Sequence, residues 1–389
     1  MKTVIAQNQQ WIDETFAKLD GKMSKLTFRS RNKFPLYSIN GVHDSVDAIN
    51  WWTNGFWGGM NWLMYEATGN ENYRVTAERN EEMLDGAYRL FPLLHHDVGF
   101  MWHLTAGANW RLTGNKASRI RNFFAASMLA SRYEVDGEFI QAWNYSNADG
   151  YSIIDTLMNL SVLYWAAEEL DRDRFKKVAM RHMDMAARDH IRENGSTNHI
   201  VEHYKDRVGV VQAHGGQGYS ATSCWSRGNA WAIYGSVISY YHTKKPEYLE
   251  AAKKTIKYFI EQIQKTGYLP LCDFDQPAEP VIYDSSAGLC AACGMLELSK
   301  LLSEEEGRWY AEEAVKILRA YDEAGWLNFS DDEDGIVMNA TGTYPLEAKK
   351  ADPISFNKIL KSVNTYIIWG DFFFVEAMAK LKGRDFFIW

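Results

Sequence analysis

Apolar residues form two alternating kinds of helical pattern along the chain. In the first kind, apolar and small residues fill nearly every position, which predicts a helix that is buried on most faces. In the second kind, apolar residues recur every three or four positions, as from Tyr248 to Phe259, which predicts an amphipathic surface helix. A short polar break joins the two members of each pair. The first kind occurs at 52–68, 98–113, 152–170, 226–243, 285–302 and 370–381.

These pairs predict an all-α protein with about twelve helices, six inner and six outer, including an N-terminal helix from about Val4 to Leu19. Only the segments near 196–213 and 327–338 suit short strands. Inner helices that are joined through outer helices run parallel, so we expect their N-termini to gather at one end. The longest connecting segments also precede inner helices: 20–50, 134–151, 194–224 and 325–365.

Polar residues open the inner helices and should therefore share that end, where helix N-termini suit an anionic ligand. They are Asn54, Asp97, Asp155, Arg227, Asp284 to Ser286 and Asp371. A carboxyl among aromatic residues loses hydration, and its pKa rises towards values at which it donates a proton near neutral pH. Helix capping is the simpler explanation for any one aspartate, because Ser152 and Asp155 have capping-box spacing. Several acids, an arginine and many rings at one level favour a catalytic pocket, since capping requires no tryptophan.

The composition is that of a globular protein that faces sugars. Apolar residues make up 46% of the 389 residues, and 15 Trp, 21 Tyr and 19 Phe are unusually many rings. Aromatic faces stack on sugar rings, although core packing explains most rings in a large helical protein. The net charge of −8, without a basic stripe, disfavours nucleic-acid binding. We expect a single domain over 1–389, no membrane span, and a monomer or homodimer.

The cysteines, histidines and known catalytic motifs limit the kinds of reaction that this sequence can support. Four cysteines are too few for a disulfide scaffold, and the N-terminus lacks an apolar signal core, which predicts a cytoplasmic protein. Cys290 and Cys293 form a CxxC without a second pair and are expected to be buried thiols. Histidines are scattered except for His95 and His96, and no zinc-protease, serine-elbow or nucleotide-loop motif occurs. A carboxylate acid/base mechanism with no metal and no cofactor is the economical prediction.

Seven stretches carry a family resemblance across nearly the whole chain. They are Trp52–Trp57, His95–Phe100, Ala142–Asn144, Ile153–Leu160, Thr197–His199, Trp225–Trp231 and Trp369–Asp371. In these stretches the chain resembles glycoside hydrolase family 88, the unsaturated glucuronyl hydrolases. The resemblance implies an (α/α)6 barrel that removes a 4,5-unsaturated uronic acid from the non-reducing end of lyase-generated oligosaccharides, of the glycosaminoglycan type. The implied chemistry is vinyl-ether hydration, which needs one group that is acid to carbon and base to water.

The resemblance also implies roles for individual residues. Asp155 is expected to be the general acid/base, and Asp97 a second essential carboxylate. Arg227 is expected to orient the uronate, with Gln217 and His199 as further polar contacts. A structural ion pair is the alternative for Arg227. The pocket walls are expected to be His96, Phe100, Trp52, Trp143 and Trp231.

Three other functions stay open on the sequence. An unsaturated galacturonyl or rhamnogalacturonyl hydrolase would share the barrel and the hydration chemistry. A sugar epimerase would rely on paired histidines, for which His199 and His214 look less well placed than the acids. A non-catalytic carbohydrate-binding barrel would bind the sugar and leave its double bond intact.

Overall fold

The computed structural model describes residues 1–346 and 352–389, and two rings of helices form its framework. The inner helices are Phe56–Thr68, Gly99–Gly107 with Ala108–Thr113, Thr156–Asn159 with Ser161–Leu170, Ser226–Thr243, Ser285–Leu301 and Ile368–Leu381. The outer helices are Gln9–Arg29, Glu71–Leu84, Lys116–Ala130, Asp173–Asp189, Pro246–Ile263 and Glu304–Glu323. Each inner helix contacts the next, and the sixth contacts the first, so the ring is closed. The predicted all-α barrel is confirmed.

Burial follows the two sequence patterns. Every residue from Ser285 to Ser299 of the fifth inner helix is buried, because this helix touches neighbours on all sides. The outer helix Asp173–Asp189 instead buries one stripe, at Phe175, Ala179, His182, Met183, Met185 and Ala186. Its charged residues face outward, as expected for an amphipathic helix on the surface of a barrel.

Small residues let the inner helices approach closely. A Cβ atom added to Gly235, in the fourth inner helix, would lie 2.4 Å from Cβ of Leu157 in the third. Only glycine fits at this crossing, because ordinary carbon atoms cannot approach so closely. The crossing lies two residues after Asp155 and therefore holds the start of the third inner helix against its neighbour.

Several boundaries differ from the sequence prediction. The N-terminal helix is two helices, Lys2–Gln7 and Gln9–Arg29, and the second extends into the segment predicted as a loop. The second inner helix begins as a π-helix, Gly99–Gly107. The predicted loop 325–365 contains a helix, Pro353–Lys361, and two isolated strand bridges, Leu327 with Val337 and Ala340 with Thr365.

A small antiparallel sheet stands before the third inner helix. Its strands are Tyr151–Ile153, Ile200–His203 and Val210–His214, and the last two lie in the region predicted for short strands. Ile153 pairs with Ile200, and the backbone amide of Ile154 donates to the carbonyl oxygen of His199 at 3.0 Å. The sheet therefore brings Asp155 and His199 together although they are far apart in sequence.

Aromatic residues fill the axis of the barrel. The rings of Phe373 and Trp389 stack with centroids 6.1 Å apart, and Trp389 also meets Phe100 and Phe372 edge-on. All four cysteines are buried, which confirms the prediction of buried thiols for Cys290 and Cys293. None of the helices in the described part of the chain is long and apolar enough to cross a membrane.

Candidate active site

A cavity of about 340 Å³ opens at the end of the barrel where the inner helices begin. Trp52, Asp97, Asp155 and Trp369 line it from the starts of four inner helices. The remaining lining residues come from the connecting segments: Leu36, Tyr37, Trp51, His95, His96, Trp143, Tyr145, Ile153, Gln217, Gly342, Thr343 and Ser362. The predicted gathering of helix N-termini and long loops at one end is therefore confirmed.

Six of the residues predicted for the site line this cavity, namely Asp97, Asp155, His96, Trp52, Trp143 and Gln217. A seventh, His199, lies behind Asp155 with Nε2 3.5 Å from Oδ2 of the carboxylate. The other three, Arg227, Phe100 and Trp231, are fully buried and do not line the cavity.

Asp97 is held by two histidines. Its Oδ2 atom lies 3.2 Å from Nδ1 of His95 and 3.1 Å from Nε2 of His96. Burial opposes the charge of this carboxylate, but the attraction of His96 and the short contacts with both imidazoles outweigh it and lower the pKa of Asp97. The expectation that its aromatic surroundings raise the pKa is therefore wrong for Asp97. The side chain is ionised at neutral pH.

His96 is the stronger partner of this carboxylate. Burial disfavours a charged imidazole, yet the attraction of Asp97 outweighs it and raises the pKa of His96. Its other nitrogen, Nδ1, lies 2.9 Å from the carbonyl oxygen of Ala142, and its ring meets Trp143 edge-on. In the neighbouring His95, burial is the largest effect and lowers the pKa.

Asp155 has different surroundings. Its side chain makes no capping hydrogen bond to the third inner helix, so the capping explanation is wrong for this residue. Oδ2 is buried and has no hydrogen-bond donor among the described residues, since Nε2 of His199 at 3.5 Å is too distant or misaligned to donate. Oδ2 is therefore turned towards His199 and closed to solvent, while the Asp155 side chain lines the cavity.

Asn159 connects the two aspartates. Its Oδ1 atom accepts from the backbone amide of Phe100 at 2.8 Å, which fixes the orientation of the side-chain amide. The amide nitrogen then faces Oδ1 of Asp97 at 3.4 Å and donates to the carbonyl oxygen of Asp155 at 3.2 Å. Sequence reasoning missed this residue, although it stands four positions after Asp155 and hence on the same helix face.

His199 is positioned by backbone and aromatic contacts. Its Nδ1 atom lies 3.1 Å from the amide nitrogen of Gln217 and 3.2 Å from the carbonyl oxygen of Gly215. Its ring packs on Trp225 with centroids 4.2 Å apart, and the guanidinium of Arg227 lies 4.3 Å from the centroid of the same indole. These contacts orient Nε2 towards Asp155.

Arg227 lies below the cavity and stabilises the loop that contains Thr341 and Gly342. Its guanidinium forms a buried ion pair with Asp284 and donates to the carbonyl oxygens of Thr341 and Gly342, each at 2.6 Å. These acceptors occupy the side chain, and it does not line the cavity. That Arg227 orients the uronate stays a prediction, and such a role would act through the backbone that it holds. This backbone lies beside Thr343, which lines the cavity.

Phe100 and Trp231 form the layer beneath the cavity floor. The ring centroid of Phe100 lies 5.6 Å from that of Trp52 and 5.5 Å from that of Trp231. The expectation that both residues wall the pocket is wrong, because only Trp52 reaches it. The sequence pattern cannot separate a ring that faces the barrel axis from one that faces the cavity.

Two other polar helix starts also lie outside the site. Asp371 accepts hydrogen bonds from the backbone amides of Ile336 and Val337, at 3.1 and 2.8 Å, and burial raises its pKa to about 7. Asn54 donates to backbone carbonyls in the preceding loop. A polar residue at the start of an inner helix is therefore not by itself a mark of the site.

Sequence reasoning missed several lining residues. His95 and Trp369 stand in stretches that carry the family resemblance, so their position could have been inferred. Tyr37, Thr343 and Ser362 come from long connecting segments without periodicity, and nothing in their local sequence indicates the cavity.

Known proteins resemble the chain over most of its length. It is 32% identical over 352 residues to an unsaturated glucuronyl hydrolase of Bacillus sp. strain GL1, covering 88% of each chain. It is 32% identical to an unsaturated chondroitin disaccharide hydrolase of Streptococcus pyogenes, covering 85% of this chain and 80% of the relative. The crystal structure of the Bacillus sp. GL1 enzyme superposes with a TM-score of 0.85 at 28% identity, covering 94% and 96% of the two chains. No protein-family model matches the chain.

Proposed function

Because the chain belongs to the unsaturated glucuronyl hydrolases, we propose that its cavity hydrates the 4,5 double bond of a terminal unsaturated uronic acid, with Asp155 as the proton donor. The proton adds to C4, and positive charge develops at C5 and the ring oxygen. Water then adds at C5 and loses a proton to the Asp155 carboxylate, which restores the acid. The resulting hemiketal opens and releases the remaining sugar.

The difference between the two aspartates carries the assignment. Both oxygens of Asp97 have close polar neighbours, since two imidazole nitrogens lie within 3.2 Å of Oδ2 and the amide nitrogen of Asn159 lies 3.4 Å from Oδ1. Asp155 also lines the cavity, but its neighbour His199 lies 3.5 Å from Oδ2 without a hydrogen bond. A general acid/base must have an oxygen that is free to exchange a proton with the substrate. Asp155 meets this requirement and Asp97 does not.

Asp97 supplies negative charge in this mechanism. Its pKa is lowered, so it stays ionised while positive charge develops at C5 and the ring oxygen. A fixed charge in a water-poor cavity stabilises such a transition state more than it would in bulk water. His95, His96 and Asn159 hold the carboxylate in place and need not reorganise during the reaction.

The uronate is assigned to the side of the cavity above Arg227. Tyr37, Thr343 and Ser362 bring hydroxyl groups to this side and line the cavity. Arg227 holds the backbone at Gly342 from below. Trp52 and Trp143 provide aromatic faces for the sugar rings.

The substrate class is a lyase-generated oligosaccharide of the glycosaminoglycan type. Relatives named for glucuronyl and chondroitin disaccharide hydrolysis support this class. An unsaturated galacturonyl or rhamnogalacturonyl substrate is the alternative, and kcat/KM on matched disaccharides of both types separates them. The cytoplasmic location and the monomeric or homodimeric state stay predictions.

Reaction in deuterium oxide tests the hydration. We expect ultraviolet absorbance of the double bond to disappear at the rate at which the second sugar is released, with one deuterium at C4 on a single face. Release of the sugar with its double bond intact would contradict hydration and indicate ordinary glycoside cleavage. Binding without absorbance loss would indicate a carbohydrate-binding protein, and isomerisation without release an epimerase.

A further inference from the structure

We propose that His95, His96 and Asp97 form a binding site for one Zn²⁺ ion, and that the bound ion inhibits the enzyme. All three residues line the cavity, and one ligand atom from each lies within 4.8 Å of the others. Within residues 1–346 and 352–389, no other group of three His, Cys, Asp or Glu side chains has this spacing.

The separations fit a tetrahedral ion. Oδ2 of Asp97 lies 3.2 Å from Nδ1 of His95 and 3.1 Å from Nε2 of His96. Bonds from zinc to nitrogen or oxygen are about 2.0–2.2 Å, so two ligands at a tetrahedral angle lie about 3.3–3.5 Å apart. These two separations are a few tenths of an ångström shorter than the tetrahedral spacing, and the two histidine nitrogens lie within 4.8 Å of each other. A shift of the two rings therefore lets the ion replace the proton between His96 and Asp97.

The other polar atoms of His96 and Asp97 have partners that orient these side chains for an ion. Nδ1 of His96 lies 2.9 Å from the carbonyl oxygen of Ala142, so the ring presents Nε2 to the cavity. The amide nitrogen of Asn159 faces Oδ1 of Asp97, which leaves Oδ2 for an ion. Metal-binding histidines and carboxylates are typically oriented by such outer contacts.

The ligand types favour a transition metal such as zinc over magnesium or calcium. Two imidazoles and one carboxylate suit zinc, copper and nickel, whereas magnesium and calcium prefer oxygen ligands alone. Three protein ligands leave the fourth position of a tetrahedral ion open to the cavity for water. The ion would cancel the negative charge of Asp97 where positive charge is proposed to develop. Inhibition thus rests on the proposed function, whereas binding does not.

Titration calorimetry with Zn²⁺ on the full chain, without sugar, tests the site. We expect one ion per chain, and His95→Ala should raise the Kd at least tenfold while the helical circular dichroism is unchanged. His95→Gln, which retains the volume of the side chain, should do the same. His214→Ala is the matched control, because His214 contacts Glu202 at 3.0 Å but does not line the cavity. Its Kd should equal that of the wild type.

Two results would overturn the site: no saturable binding of Zn²⁺, or the same Kd in His95→Ala as in the wild type. Inhibition is measured separately through the absorbance of the double bond. We expect half-inhibition at the calorimetric Kd and recovery on adding a chelator. Binding without inhibition would overturn the inhibitory role and contradict the place of Asp97 in the proposed reaction.

Discussion

At the scale of single residues, the neighbouring side chains determine which role each aspartate can take. Asp97 and Asp155 stand in similar aromatic sequence contexts, yet two histidines contact the first and one carboxylate oxygen of the second has no donor among the described residues. The sequence predicts that both carboxyls are buried. It does not predict that adjacent imidazoles keep Asp97 ionised, because this depends on the directions of side chains at a turn.

Asn159→Ala should reduce kcat, because it removes the amide between the two aspartates. A hydrogen bond to a charged group contributes about 1.5–3 kcal/mol, and the 3.4 Å contact with Asp97 places the effect near the lower end, about tenfold in kcat. Steady-state kinetics measures it. Asn229→Ala is the matched control, because Asn229 is equally buried and donates to Gly195 away from the aspartates. Equal kcat in both variants would contradict a positioning role.

Arg227→Ala should chiefly destabilise the protein. The substitution leaves Asp284 buried without its ion-pair partner, which costs about 3–5 kcal/mol in the free energy of unfolding. Urea unfolding measures the loss, and Arg227→Met combined with Asp284→Asn should recover part of it. A variant as stable as the wild type, with only KM raised, would contradict the stabilising role of the ion pair and indicate a direct contact with the uronate.

At the scale of elements, close helix crossings set the position of the catalytic residues. Gly235→Ala should lower the free energy of unfolding by about 1–3 kcal/mol and reduce kcat, because the added Cβ would push Leu157 and the start of the third inner helix away. Chemical unfolding and turnover measure both effects.

Gly21→Ala is the control for this crossing. Gly21 lies in the outer helix Gln9–Arg29, and no atom lies within 4 Å of an added Cβ. Replacing glycine within a helix should then raise the free energy of unfolding by about 0.5–1 kcal/mol. Stabilisation by Gly235→Ala as well would show that the two inner helices are not in close contact.

The sheet before the third inner helix should make stability depend on pH. His190 contacts Ser152 at 2.7 Å, and burial lowers the pKa of His190 to about 4. The unfolded chain binds this proton near pH 6.5 and the folded chain does not, so stability falls as the pH drops from about 6.5 towards 4. Between pH 7 and 5, the free energy of unfolding measured with urea should fall by about 2 kcal/mol less in His190→Gln than in the wild type. Equal losses would contradict a buried neutral imidazole.

For the whole molecule, the barrel was predictable because its pattern repeats locally. In each pair, the all-apolar pattern predicts an inner helix and the amphipathic pattern an outer helix. Six such pairs close the ring. The sequence left open whether Arg227 faces the uronate or forms an ion pair, since its partner Asp284 stands at the start of another inner helix. Tyr37 and Ser362 were also missed, because their loops meet at one cavity only when the ring is closed.

The turnover of Asp155→Asn, followed by the ultraviolet absorbance of an unsaturated disaccharide, tests the role of Asp155 as proton donor most directly. The amide has nearly the shape of the carboxyl but cannot deliver the proton, so we predict a loss of about 10²–10⁴ in kcat with an unchanged melting temperature. A variant that keeps more than about a tenth of wild-type activity would contradict Asp155 as the acid/base, because proton transfer alone is worth at least this much.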